Sequence, residues 1–239
     1  MTSEPAYGTV SALVLFEMAL MTFRASQLAG QVIVDKEVSE RLEPMLIDLC
    51  ARAGCVPPRV VLREDSLRGA ALLLRKGQVD LLLSRRLVAT LSDAQLRAIV
   101  AHELIHFVRN DLRHVKARSL GAFLGGMAVG AVAWLAVGYE LKNLPIFVAG
   151  IFVGLFLILT LLSPLNRRCE FRADVEGAAL TGDAGAAAES LVIVYAQANE
   201  SRKRLYGRSP WRWLLAPMAW RMPTHPSLED RIARLRQLA

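Results

Sequence analysis

His102-Glu103-Leu104-Ile105-His106 sets two imidazoles four residues apart, with a carboxylate beside the first. On a helix, residues at that spacing share a face, so both rings can reach one metal ion. A carboxylate next to them can hold a water at the ion and take its proton. The chemistry is metal-assisted hydrolysis, and one Zn2+ ion is the expected cofactor. Two histidines do not close a catalytic zinc site, which has three protein ligands and one open position. Glu170 and Asp174 are again four apart, on a segment with helical patterning. Glu170 is the candidate third ligand. Asp174 would then orient one histidine through its other ring nitrogen. The plain alternative is a pair of surface carboxylates matched with Arg167 or Arg172.

The remaining ligand-type residues add little. The chain has four histidines; His114 lies among basic residues and reads as surface, and His225 stands in Thr224-His225-Pro226 far downstream. Cys50, Cys55 and Cys169 are the three cysteines. An odd count without a Cys-x-x-Cys pair argues against a disulfide framework or a thiolate zinc site. Cys169, next to Glu170, is expected to be a bystander.

Several elements must position these side chains. Ser92 followed by Gln95 is a capping-box signature. It opens a helix that carries the histidines and is expected to run on toward the following apolar stretch. Upstream, residues 43–53 read as an amphipathic helix with Pro44 near its start and Gly54 as its stop. Residues 59–64 read as a strand. Residues 70–74 and 79–83 flank Lys76-Gly77 as a hairpin. Downstream, residues 166–181 read as a helix ended by Gly182, and Asp183 caps another reaching about residue 205. A final amphipathic helix carries Leu228, Ile232, Leu235 and Leu238. Trp211, Trp213 and Trp220 fall in a proline-bearing stretch and read equally as core or as an interfacial anchor.

Between the two ligand-bearing segments lie residues 119–139, 21 positions without a charge, and residues 143–166, 24 positions without a charge. At 1.5 Å per residue each is long enough to cross a hydrocarbon core of ~30 Å. They predict a transmembrane hairpin, with two buried core helices as the alternative. Arg109, Arg113, Lys116 and Arg118 precede it, and Arg167, Arg168 and Arg172 follow, so the positive-inside rule puts both ligand segments in the cytoplasm. The apolar fraction of 54% and the net charge of +7 fit that picture. A basic stripe with aromatic interleaving is absent, which argues against nucleic acid as a partner. The first basic residue is Arg24, so the start does not read as a signal peptide. Residues 10–23 are apolar but contain Glu17, and are expected to lie on the membrane or against the catalytic unit.

Taken together, the His102–His106 motif, the run from Asn166 through Glu170 to Asp174, and Thr224-His225-Pro226 occur in an order that resembles HtpX-like membrane zinc metalloproteases and CAAX prenyl proteases, of gluzincin type. The resemblance covers about residue 40 to the end. It implies that His102, His106 and Glu170 bind zinc and that Glu103 is the catalytic base. It also implies that Asp174 supports a ligand histidine, and that His225 lies near the cleft as an oxyanion donor with Arg231 nearby. A substrate peptide would add as a strand at a sheet edge within residues 69–75. The chain departs from the pattern in three places. It has at most one N-terminal span candidate where two are usual. Gly69 stands near a position usually held by Asn, and Asn166 stands where Ser is frequent.

The expected architecture is mainly α with a small β-sheet, an α+β zincin-like unit interrupted by the hairpin. Residues 1–35 form an N-terminal apolar helix, 36–118 the first part of the metalloprotease domain, 119–165 the hairpin and 166–239 the second part. The expected function is a zinc metalloendopeptidase of the inner membrane, its catalytic part facing the cytoplasm. It would act on polypeptides, membrane proteins among them, in the setting of membrane protein quality control. The competing readings are a signalling or adaptor protein that uses the site for peptide binding or self-cleavage, a zinc hydrolase with a non-peptide substrate, and a structural membrane protein.

Overall fold

The computed structural model describes residues 35–63, 69–75, 77–140, 143–206 and 226–238. The apolar stretch 10–23, the three downstream tryptophans and His225 lie outside them.

Helix α1 (Lys36–Ala53) starts earlier than its amphipathic pattern suggests, because Asp35 caps it by accepting from Val38 N at 3.2 Å. Pro44 therefore sits inside the helix rather than near its start. It is tolerated because it is exposed, so the carbonyl that loses its partner faces water. Gly54 ends the helix at φ 69°. Strands β1 (Arg59–Arg63), β2 (Ala70–Arg75) and β3 (Gln78–Ser84) follow. They form a sheet in the order β1-β3-β2, with β1 parallel and β2 antiparallel to β3. The expected hairpin is present, and β2 is an edge strand.

The short helix α2 (Arg85–Thr90) leads to α3 (Asp93–Val108), the helix of the histidine motif. The capping box at its start is complete: Ser92 Oγ accepts from Gln95 N, and Gln95 Oε1 accepts from Ser92 N. One side of α3 inserts Leu96, Ile99, Val100 and Leu104 into a core shared with Leu46 and Leu49 of α1 and Leu62, Leu81 and Leu83 of the sheet. Each fully buried leucine contributes roughly 1.5–3 kcal/mol. Ala98 and Ala101 are buried too, Ala98 packing beside Ala178, so α3 is covered nearly all round and lacks an amphipathic stripe.

The motif helix does not run on into the apolar stretch. It stops at Arg109, and Asn110 takes a left-handed conformation at φ 57°. Asn is among the few non-glycine residues that do so readily. Helix α4 (Asp111–Ala136) starts after this bend. Helix α5 (Leu144–Thr181) is one continuous element of 38 residues, so the second apolar stretch and the Glu170–Asp174 segment are a single rod. Gly182 ends it at φ 74°. Asp183 then accepts from Ala186 N at 2.8 Å and opens α6 (Ala184–Tyr206). Ser227 caps α7 (Leu228–Arg236).

Helices α4 and α5 form an antiparallel pair. Its turn is closed by Asn143, which donates to the carbonyls of Val137 at 3.0 Å and Gly138 at 2.8 Å. The helices touch backbone to backbone at Gly126 and Gly130 of α4 and Gly150 and Gly154 of α5. A Cβ on Gly130 would lie 2.6 Å from the Phe147 carbonyl oxygen, and one on Gly150 would lie 2.7 Å from Gly130 Cα. Among the described residues no helix is long and apolar enough to cross a membrane.

Replacing Gly130 with valine should force the pair apart and lower the melting temperature, with a loss of at least about 1–3 kcal/mol. A Cβ at Gly121 meets nothing within 4 Å. Gly121→Ala should therefore be neutral or stabilising, by up to ~1 kcal/mol through helix propensity. Equal effects of the two changes in thermal melts would contradict the close packing.

Candidate metal centre

The site is built where α5 crosses α3. Ala173 and Gly177 of α5 are buried at this crossing. A Cβ on Gly177 would stand 3.1 Å from His102 N and 3.2 Å from His102 Cα. A side chain at this position would crowd the His102 backbone, and glycine avoids that crowding. One and two turns back along α5, Asp174 and Glu170 are thereby brought over the face of α3 that carries His102 and His106.

His102 Nε2 lies 3.0 Å from His106 Nε2. One oxygen of Glu170 is 3.7 Å from His102 Nε2, and the other is 3.7 Å from His106 Nε2. Three donors at about 2.0–2.2 Å from one ion in tetrahedral array are roughly 3.3–3.5 Å apart. The separations bracket that spacing. Among the described residues this trio is the only cluster of histidine, cysteine or carboxylate groups with metal-site geometry. Cys169 is not part of it, and the three cysteines are free. His114 is exposed on α4, as its sequence context suggests.

The other ring nitrogens explain why the trio needs a cation. His106 Nδ1 is 2.9 Å from Asp111 Oδ2. His102 Nδ1 is 3.0 Å from Asp174 Oδ1, a close ionic contact rather than an aligned hydrogen bond. Carboxylates at both Nδ1 atoms hold the protons there, which leaves the Nε2 lone pairs facing each other and Glu170. Three ligand atoms converging on one point fit a divalent ion such as zinc.

Each orienting aspartate has its own arginine. Arg231 of α7 grips Asp174 with two hydrogen bonds, Nε to Oδ2 at 2.7 Å and a terminal nitrogen to Oδ1 at 2.6 Å. It also reaches Glu170 Oε2 at 3.4 Å. Asp174 and Arg231 are only 5% and 8% exposed, so each charge depends on the other for compensation. Burial would raise the Asp174 pKa, but Arg231 and His102 outweigh it and hold the carboxyl below its ordinary range. Arg172 donates a single hydrogen bond to Asp111 Oδ1 at 2.5 Å, and against the effect of burial His106 and Arg172 hold the Asp111 carboxyl below its ordinary range. For His102, burial opposes protonation; contact with Asp174 and the Glu103 charge overcome it and raise the pKa above 6.5. Glu103 is thus within electrostatic reach of His102, and of Arg231 as well.

All three expected ligands, His102, His106 and Glu170, come together in this arrangement, with Asp174 and Arg231 directly behind them. Arg172, a possible partner for Glu170 or Asp174 on sequence grounds, binds Asp111 instead. Asp111 was not singled out from the sequence. Its signal is faint: an acidic residue five positions after His106, just past an asparagine at a helix end. Only the left-handed turn at Asn110 brings it back onto His106.

The profile of peptidase family M48 matches residues 36–239. The chain belongs to this family. A protease HtpX homolog from Ralstonia nicotianae is 30% identical over 226 residues, covering 85% of this chain and 77% of the relative. One from Acidiphilium cryptum is 28% identical over 98% of this chain and 84% of its own length. In the crystal structure of S. mikatae Ste24p, a similar fold covers 90% of this chain at a TM-score of 0.55 and 16% identity. This chain spans 56% of that protein, and the likeness concerns the fold alone. The His102, His106 and Glu170 cluster matches the active-site architecture of the M48 metallopeptidases, and a single Zn2+ ion suits it.

Two outcomes follow. Gly177→Val should displace Glu170 and Asp174 from α3 and lower zinc affinity at least about tenfold, as isothermal titration would show. Zinc uptake by the metal-free protein should also weaken on acidification. The neutral form of His102 is the ligand and its pKa is raised, so proton competition should begin above pH 6.5. Affinity that stays flat from pH 8 down to about 6 would contradict the contact with Asp174.

Proposed function

We propose that this chain is a membrane-embedded zinc endopeptidase that cleaves polypeptides at the cytoplasmic face of the inner membrane. The observation that carries the reading is the convergence of His102, His106 and Glu170, with Glu103 on the same helix turn as His102. A bound zinc ion would polarise the scissile carbonyl and acidify a water toward a pKa of ~7. Glu103 is the base that accepts the proton from that water and later delivers it to the leaving amine. Asp174 and Asp111 keep the two imidazoles in the tautomer that presents Nε2. Arg231 ties Asp174 and Glu170 to α7, so the ligand set is fixed from three separate elements. His225 is the proposed oxyanion donor, close to α7 in sequence. The outer edge of β2, unpaired with another strand among the described residues, lies beside α3 and suits a substrate strand added antiparallel or parallel to it.

Read along the full sequence, where residues 119–139 and 143–166 carry no charge, the α4–α5 pair is the proposed membrane hairpin. Its outward faces are strongly apolar, with Leu120, Phe123, Val132 and Leu161 exposed, Leu161 at 76%. Residues 143–166 contain no charged side chain. Its helices meet through glycines four apart, a packing that suits a medium in which apolar side chains gain nothing by leaving solvent. In this reading residues 36–118 and 166–239 form one catalytic unit split by the hairpin of residues 119–165. The basic residues at both feet support a cytoplasmic location for that unit. Quality control of membrane proteins fits a protease held at that depth.

Glu103→Gln should abolish cleavage of an unfolded model protein such as casein while leaving about one zinc per chain, measured by metal analysis of the detergent-purified protein. Glu170→Ala should lower the zinc content itself. Undiminished turnover in the first variant would remove Glu103 from the chemistry, and full metal occupancy in the second would remove Glu170 from the ligand set.

A further inference from the structure

A cavity of about 630 Å³ opens between α5 and α7. It falls in the size range of small-molecule sites. Its polar lining is Arg167, Arg168, Arg172 and Arg234, with Glu176 as the single acidic member. Glu176 is already engaged, because Arg109 binds both its oxygens at 3.0 and 2.9 Å. The cavity therefore carries a cationic excess. Its arginines are also held in place: Arg234 lies over the Phe171 ring at 3.9 Å, and Arg172 is anchored on Asp111. Among the described residues Arg172 Nε is buried without a hydrogen-bond partner. Pro164 and Val175 supply an apolar wall, and Pro164 stands at the end of the uncharged stretch of α5.

We propose that this cavity binds the phosphate headgroup of an anionic phospholipid. Guanidinium forks match phosphate oxygens in charge and geometry, better than a point charge would. The apolar wall at Pro164 lets the glycerol and the first acyl carbons leave toward the bilayer. The inner leaflet offers such lipids at the depth where the hairpin ends. Three arginines of α5 and Arg234 of α7 gathered around one cavity repel each other, and a bound phosphate relieves that repulsion. The inference rests on the membrane reading above. It assigns this basic foot to a discrete lipid site rather than to general attraction by a charged surface.

The test uses the full chain, zinc-loaded and in neutral detergent, with native mass spectrometry after addition of dioleoylphosphatidylglycerol, dioleoylphosphatidylcholine or inorganic phosphate. Wild type should retain phosphatidylglycerol at least tenfold better than phosphatidylcholine. Arg167→Gln/Arg168→Gln should lose most of that preference, with phosphatidylcholine unchanged. Arg234→Gln, which does not flank the apolar stretch, should lose it too and guards against misfolding of the double variant. Arg172 is left alone because it also holds Asp111. Displacement of the lipid by millimolar inorganic phosphate would support a site that reads the phosphate itself. Binding of inorganic phosphate with no retention of phosphatidylglycerol would overturn the lipid as its ligand. Equal retention of the two lipids, or a preference unaffected in both variants, would overturn the site. Alkaline carbonate washing of expressing membranes separates the two readings. Release of the protein would sink the membrane reading, whereas a retained protein without lipid preference would sink the site alone.

Discussion

The close crossing of α5 over α3 is the constraint on which the rest depends. Gly177 sits within contact of the His102 backbone, and the distance between the helices there is set by the absence of a side chain. Everything that matters chemically is counted from that point. Asp174 and Glu170 lie on α5 one and two turns before it, and His102 and His106 lie on α3 at it and one turn beyond. A wider crossing would leave two histidines on one helix and two carboxylates on another, without a shared centre.

Electrostatics then locks what packing brings together. Two carboxylates sit largely buried behind the histidines, and each would be costly there without compensation. Arg231 and Arg172 provide it from α7 and from α5 itself. The result is a pair of chains, Arg231–Asp174–His102 and Arg172–Asp111–His106, ending on the two nitrogens that face Glu170. Their roles differ. The first ties the site to the C-terminal helix, which otherwise packs mainly through Leu235 and Leu228. The second ties it to the bend at Asn110 and so to the base of the α4–α5 pair. Arg172 also borders the basic cavity, so the metal centre and the foot of the hairpin share one guanidinium.

Much of the site was legible in the sequence because its parts are local. The capping box at Ser92 fixes the register of α3, and spacing by four on a helix puts His102 and His106 together wherever that helix goes. Glu170 and Asp174 share a face for the same reason. The helix starts and stops at Ser92, Gly54, Gly182 and Asp183 were equally readable, because a cap is a contact between near neighbours. Misreadings came where a local signal was overridden. Pro44 suggested a helix start, but Asp35 caps nine residues earlier and solvent satisfies the carbonyl that proline strands. The motif helix was expected to run on toward the apolar stretch, yet the chain turns at Asn110 in a conformation that asparagine permits without demanding.

What the sequence by itself determined was the identity of the ligands and the order of the elements that carry them. Helical periodicity and capping chemistry act over four residues or fewer. What only the tertiary structure decided was how those elements meet. The partner of each histidine's second nitrogen, the pairing of Arg231 with Asp174 across 57 positions, and the gathering of four arginines around one cavity all depend on contacts between distant segments. The physical reason is that a buried charge selects its partner by position in the folded core, and no short-range pattern encodes that position.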